Sequence, residues 1–292
     1  MDKLSQSPGA RFRAAVDDDR PLLIPGAFNA LVARMAERAG FRAVYQSGAA
    51  LSAGFAAVSD IGLITRTEFA EQGRALAQAV TIPVISDADT GFGEALAVER
   101  TVQFYESAGL AGLHLEDQQL PKRCGHLSGK SLVRGSEMVA KLKAAVSSRQ
   151  DHDFVIIART DARAVEGLEA AIDRAQAYVE AGADMIFPEA LQSPDEFQQF
   201  AAEISVPLIA NMTEFGKSPL LTARDLSDLG YAAVLFPVTV FRVAMKAAEN
   251  ALSQLALEQT QQHFLNDMQT RAKLYDLLGY DEFDQRDRTY FE

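Results

Sequence analysis

The chain has 292 residues, 48% hydrophobic and 23% charged, with a net charge of −12; that length supports one α/β barrel as readily as two average domains. The acidic balance disfavours nucleic acid and anionic membrane as partners, while a local group of cations could still take an anionic small molecule. One cysteine excludes an internal disulfide, no run nears the ~18 apolar residues of a membrane helix, and the charged N-terminus lacks a signal peptide's apolar core, so a cytoplasmic protein is expected.

In chain order, "LLIPGAF" opens a series of buried-strand runs near 22–26, 42–47, 82–87, 111–116, 154–159, 183–188, 206–211 and 232–236. Four of them follow one repeated phrase, "AERAGFRAVYQS", "YESAGLAGLHLE", "YVEAGADMIFPE" and "LSDLGYAAVLFP". Each reads as a helix end, a glycine suited to a left-handed cap (Gly40, Gly109, Gly182, Gly230) and a short apolar strand. In "TIPVISDAD" and "SVPLIANM" a proline opens the strand instead. The intervening segments, such as "EALAVERTVQFYESAG", carry helical periodicity. Near-continuous apolar strands alternating with helices predict a parallel (β/α)8 TIM-type barrel in one domain over 1–292, with 247–292 as a C-terminal helical extension. No Gly-rich dinucleotide fingerprint follows the first strand, which argues against a Rossmann fold.

Reactive groups of such barrels sit at the C-terminal strand ends. Read in order, these are Tyr45, Gln46 and Ser47; Asp87 and Asp89; Glu116 and Asp117; Arg159 and Asp161; Glu189; Asn211 and Thr213; Pro237 and Thr239. In "SDADTGFG", Asp87 and Asp89 are expected on one side of an extended chain. With Glu116 they form an all-oxygen set suited to Mg²⁺ or Mn²⁺; the plainer alternative is that Asp89 or Thr90 caps the next helix. Arg159 could grip a substrate carboxylate or lock a structural salt bridge, and Glu189 and Asn211 could fix it or touch substrate. His114 reads as a core histidine.

"EDQQLPKRCGHLSGK" leaves the fourth strand as a long polar segment broken by Pro121, Gly125 and Gly129, a lid over the barrel mouth. It carries the single thiol, Cys124. Lys122, Arg123 and His126 beside it are expected to depress the thiol pKa, on a loop exposed enough to avoid the opposing effect of burial. An inert cysteine is the alternative.

"KRCGH", together with "SDADTGFG", "LHLED", "ARTDA", "FPEA", "NMTEFG" and "MQTRAKLYD", resembles the isocitrate lyase/phosphoenolpyruvate mutase superfamily, most closely its methylisocitrate-cleaving branch, over nearly the whole chain. The resemblance implies a barrel whose eighth helix is exchanged between subunits, in a homotetramer of such dimers. It implies Mg²⁺-dependent cleavage of 2-methylisocitrate to pyruvate and succinate, a step of the 2-methylcitrate cycle of propionate catabolism. By motif match Asp87, Asp89 and Glu116 would hold the metal, Ser47, Gly48 and Ala49 would meet the pyruvate carboxylate, and Cys124 would be the catalytic acid/base. Gly125, Arg159, Glu189, Asn211, Met212, Thr213, Arg242 and Arg271 would line the substrate pocket, with Phe187 and Leu235 making room for the extra methyl group. Tyr45 is a candidate base for the substrate hydroxyl. The sequence departs from the family's "SGG" at Ala49, which leaves 2,3-dimethylmalate lyase as an alternative; a non-catalytic binding protein is the alternative of another class.

Overall fold

The computed structural model describes residues 6–291. Two compact units divide it, Met1–Phe241 and Arg242–Glu292. The first contains, among the described residues, eight strands: β1 (Leu22–Pro25), β2 (Val44–Gln46), β3 (Val84–Asp87), β4 (Gly112–Glu116), β5 (Val155–Thr160), β6 (Met185–Pro188), β7 (Ile209–Asn211) and β8 (Ala233–Phe236). Every pairing is parallel. β2 to β6 pair in sequence order, and β7, β8 and β1 form a second run. Single parallel bridges, Gly26 to Tyr45 and Ile186 to Leu208, join the two runs at both seams. The result is the closed barrel predicted from the alternation of strands and helices.

Strand alternation sorts the core into two layers. Leu22, Ile24, Tyr45, Ile85, Val155, Ile157, Met185, Phe187, Ile209 and Leu235 form one buried cluster inside the barrel. Their sequence neighbours, such as Val44, Val84, Leu113, Leu115, Ile156, Ile186, Ala210 and Val234, face the helices in a second cluster. Because side chains alternate along a strand, the inward set of β4 is Gly112, His114 and Glu116, and that of β5 ends at Arg159. The helix Pro8–Asp18 contributes Phe12, Ala15 and Val16 to the inner cluster and closes the barrel floor.

The turns behave as their residues dictate. Gly40, Gly109, Gly182 and Gly230 follow their helices with φ of +91°, +84°, +99° and +94°, a region open to glycine and costly for other residues. β7 is shorter than the predicted 206–211, because Pro207 has no N–H for the ladder and the sheet pairing there reduces to the Ile186–Leu208 bridge.

The C-terminal unit is helical, with the end of Thr239–Glu258 followed by Arg271–Leu278 and Tyr280–Thr289. Val243, Leu252, Leu257, Phe283 and Phe291 are exposed there. Among the described residues no helix is long and apolar enough to cross a membrane.

Candidate active site

The upper ends of the strands gather most of the predicted residues of the barrel. Register places Asp87 beside His114, Glu116 beside Arg159, and Arg159 beside Phe187. Asp87, Asp89, Glu116, Arg159 and Glu189 are all buried. Such a density of buried charge persists only where partners or a ligand compensate it.

Asp87 ends β3, but Asp89 does not continue the extended chain as the sequence suggested. Its φ is +46°, and its N–H donates to Asp87 Oδ1 at 2.8 Å, so the turn folds back on itself. Neither Asp89 nor Thr90 caps the following helix, Ala95–Ser107, which starts after Glu94 without a side-chain cap. The capping alternative therefore fails. Asp89 instead faces Lys122 Nζ at 2.7 Å, and the same ammonium donates to Asp60.

Glu116 has both carboxylate oxygens buried without a hydrogen-bond donor, and Arg159 Nη1 approaches no closer than 3.4 Å. Burial holds its carboxyl well above the usual range, against the pull of Arg159 and Lys122. Burial likewise raises Asp89. Burial also works against the Lys122 ammonium, yet Glu116, Asp89, Asp87 and Asp60 outweigh it and hold its proton firmly. The excess of oxygen donors fits a hard cation. Among the described residues no three groups form a ready-made metal cage, so an ion here would keep water ligands.

Ser47 caps the helix Gly48–Ala56, its hydroxyl accepting from Ala50 N–H at 3.3 Å. The helix N-terminus meets Asp87 directly: a methyl group at Gly48 would lie 2.4 Å from Asp87 Oδ2. The first N–H groups of Gly48 and Ala49 have no partner within the helix, which suits a carboxylate.

Arg159 answers both readings offered by the sequence. Its Nε and Nη2 are held by Asp161 at 3.0 and 3.2 Å, and its Nε lies 3.8 Å from Glu189, while its guanidinium stands over the Phe187 ring at 5.3 Å. Burial opposes the Glu189 carboxylate, but Arg159 and His126 outweigh it and keep it ionised. Asn211 Nδ2 donates to both Glu189 oxygens at 3.2 and 3.3 Å, leaving its own Oδ1 without a partner. Thr213 lies half-buried just beyond β7. Met212 does not join them: it packs on the outer layer, its sulfur accepting from Leu221 N–H at 3.4 Å. Arg242 and Arg271 belong to the C-terminal unit.

The lid is zipped at its neck. Gln118 bridges Leu132, Gln119 N–H donates to Ser131 O at 2.8 Å, and Val133 N–H to Asp117 O at 2.9 Å. Its tip lies over the strand ends, and a methyl group at Gly125 would fall 2.4 Å from both Arg159 Nη2 and Glu189 Cγ. His126 Nδ1 accepts from Lys217 N–H at 2.9 Å, which assigns the proton to Nε2 facing Glu189 Oε1 at 2.7 Å.

The thiol departs from the sequence reading. Its pKa is raised from the ordinary 9.0, not depressed: burial comes first, a hydrogen bond from His126 N–H opposes it, and Glu189 adds to the rise. The neighbouring cations are engaged elsewhere. Lys122 is turned into the carboxylates, Arg123 is exposed and bonds Ser128 O, and His126 pairs with Glu189. Cys124 is thus kept as a thiol. Tyr45 departs as well. Its hydroxyl is buried against His114 Nε2 at 2.8 Å, and burial beside Asp87 pushes its pKa well up, which suits a structural donor and not a base. Burial lowers His114 to about 4, keeping it neutral as a core histidine.

Asp60 and Lys130 escaped the sequence reading as contributors, and Asp161, named there as a strand-end group, gave no sign of its partners. Asp60 lies on a turn far from any strand end, and the Lys130–Asp161 pair spans 31 positions; no local pattern signals either.

Residues 12–256 match the phosphoenolpyruvate phosphomutase family profile. The chain is 50% identical to the 2-methylisocitrate lyase of Aeropyrum pernix over 282 residues, 97% of this chain and 91% of that one. The solved structure of a 2,3-dimethylmalate lyase superposes with a TM-score of 0.91 at 33% identity, covering 98% of this chain and 96% of the other. A phosphonopyruvate hydrolase solved with oxalate and Mg²⁺ superposes with a TM-score of 0.89 at 33% identity, over 98% and 100% of the two chains.

Proposed function

This chain belongs to the phosphoenolpyruvate phosphomutase family, and from that premise we propose that it is a Mg²⁺-dependent carbon–carbon lyase cleaving 2-methylisocitrate to pyruvate and succinate. One observation carries the reading. The lid residue that follows the single thiol, Gly125, lies against Arg159 and Glu189, and burial keeps the thiol protonated, as the acid in a cleavage that leaves a carbanion must be. The relative with 50% identity bears the name of that activity, whereas the dimethylmalate lyase stands at 33%.

In the retro-aldol step the substrate hydroxyl passes its proton to a water molecule of the site, from which it reaches solvent, and the bond to the neighbouring carbon breaks. The electron pair goes to the carbon that becomes succinate, and the hydroxyl-bearing carbon becomes the keto carbon of pyruvate. Asp87, Asp89 and Glu116 would hold Mg²⁺, partly through water; bound there, it supplies Lewis-acid stabilisation of developing oxygen charge. Ser47, Gly48 and Ala49 receive the pyruvate carboxylate at the helix N-terminus. Arg159, oriented by Asp161, faces the carboxylate adjoining the carbanion and spreads its charge. Asn211 and Thr213 contact the same half of the substrate. Cys124 Sγ–H protonates the carbanion, a contribution of typically ~10²–10⁴-fold for general acid catalysis, and the thiolate recovers its proton from solvent when the lid opens. The closed lid, with Gly125 against Arg159, keeps water from the carbanion.

The raised thiol pKa removes the conflict between a cation-rich motif and a reaction that needs an acid. Pyruvate release with 2-methylisocitrate, isocitrate, 2,3-dimethylmalate and oxaloacetate, each with and without Mg²⁺, tests the proposal. It predicts pyruvate and succinate in equal amounts from 2-methylisocitrate with Mg²⁺. Absence of that pair, or preference for dimethylmalate, overturns it.

A further inference from the structure

Three contacts fasten the lid tip to the barrel. Lys122 pairs with Asp60 and Asp89, and His126 with Glu189 and the Lys217 N–H. The third is Lys130, which follows the exposed run Leu127–Gly129 and yet has a side chain only 1% exposed. Lysine is almost never buried to that degree without a specific partner. Here the ammonium donates to Gly125 O and to Asp161 Oδ1, the latter at 2.7 Å.

Asp161 is fully buried. Its Oδ2 takes Arg159 Nε, its Oδ1 takes both Arg159 Nη2 and Lys130, and its backbone N–H donates to Asp117 Oδ1 at 2.9 Å. Both carboxylate oxygens are therefore occupied by protein donors and none is left for a ligand. That separates the third contact from the first two, whose carboxylates Asp89 and Glu189 lie among the groups assigned above to metal and substrate. Ligands entering the site compete for Lys122 and His126; they do not compete for Lys130.

We propose that Lys130 and Asp161 are positioning residues that latch the lid. Their buried pair ties the carbonyl next to Cys124 to the carboxylate that orients Arg159, so that thiol and guanidinium are set by one joint. The latch rests on the proposed lyase reaction for its purpose, but not for its geometry. Closing the lid inserts the Lys130 ammonium between Gly125 O and Asp161. Opening it returns the ammonium to water, frees Gly125, and leaves Asp161 with Arg159 alone. Closure and alignment of Arg159 are thereby coupled.

Because Cys124 is the only cysteine, alkylation by iodoacetamide followed by intact mass reads the lid alone. In Lys130→Met, with no ligand added, alkylation is expected to accelerate roughly tenfold or more, the factor for losing a hydrogen bond to a charged group. Its pH–rate profile should move to lower pH as the thiol leaves its buried position, with the thermal unfolding of the barrel little changed, which separates lid opening from general loosening. On 2-methylisocitrate the same variant loses kcat more than it raises KM, and Lys130→Arg recovers part of both properties. Lys130→Gln serves where the Met variant does not fold. Wild-type alkylation rate and pH profile in the Met or Gln variant overturn the latch. Faster alkylation in a protein whose wild type releases no pyruvate from 2-methylisocitrate keeps the latch and removes the proposed substrate.

Discussion

Gly125→Ala tests lid closure directly. The backbone at Gly125 lies outside the left-handed region, so alanine brings no conformational strain and only its methyl matters. That methyl would sit 2.4 Å from Arg159 Nη2, 2.4 Å from Glu189 Cγ and 2.5 Å from Glu189 Cδ. Neither neighbour can yield easily. Arg159 is clamped by Asp161 at 3.0 and 3.2 Å, and Glu189 by His126 at 2.7 Å. Inserting a methyl into a packed site costs typically ~1–3 kcal/mol, and the clamped partners place this case in the upper half of that range. At 1.36 kcal/mol per tenfold in rate, the closed, reactive arrangement becomes about 30- to 150-fold rarer, and kcat falls by that factor. Global stability should hardly change, since the lid lies outside both core clusters. The assay is steady-state pyruvate release beside thermal unfolding. Gly135→Ala is the control: nothing lies within 4 Å of that added methyl, and its activity should equal wild type. A Gly125→Ala enzyme within twofold of wild-type kcat refutes the closed-lid geometry as the reactive state.

Cys124→Ser is expected to lose turnover by ~10²–10⁴-fold while retaining substrate affinity, measured by calorimetry; near wild-type activity removes the thiol from the mechanism. In the wild type, iodoacetamide alkylation should rise with pH only above the ordinary thiol range, because the folded protein holds this proton more tightly than the unfolded chain does. By linkage, stability is present in full below the unfolded thiol pKa and declines as pH climbs through the folded value, an effect that Cys124→Ser abolishes. Mg²⁺ at about 100 times its Kd should stabilise the protein by ~2.7 kcal/mol, read as a rise in Tm that EDTA reverses. Glu116→Gln should shrink that rise without unfolding the metal-free protein, because the carboxylate it replaces has no donor to lose.

The barrel was legible because strands buried on both faces leave an unmistakable apolar run, and a glycine that ends the preceding helix marks four of the eight starts. Position at the C-terminal strand ends also located Asp87, Glu116 and Arg159, and the structure turns Glu116 and Arg159 inward, since their apolar neighbours Leu115 and Ala158 face outward. Legibility failed where the chain stops being a strand. Asp89 lies one turn beyond β3 in a left-handed conformation, so period-two reasoning gave it the wrong direction, even though burial still brought it to the site. Met212 follows Asn211 by one residue and for that reason faces the opposite layer. The thiol departs furthest from its local sequence, because its neighbours along the chain turn their charges away from it. Lys122, Arg123 and His126 point to three different places, and the groups that set the thiol's acidity, above all its own burial and Glu189, come from the fold. Nothing local announces that Lys130 meets Asp161.

The plug formed by Phe12 and Val16 beneath the strands has a bearing on traffic. A vessel stoppered at its base has one doorway, so reactant, both fragments and solvent all cross the same threshold. No fragment can drain away behind while the next reactant arrives in front. Each cycle must lift the same flap twice, once to admit and once to discharge, and the frequency of that movement caps the pace of the enzyme however fast the bond itself breaks.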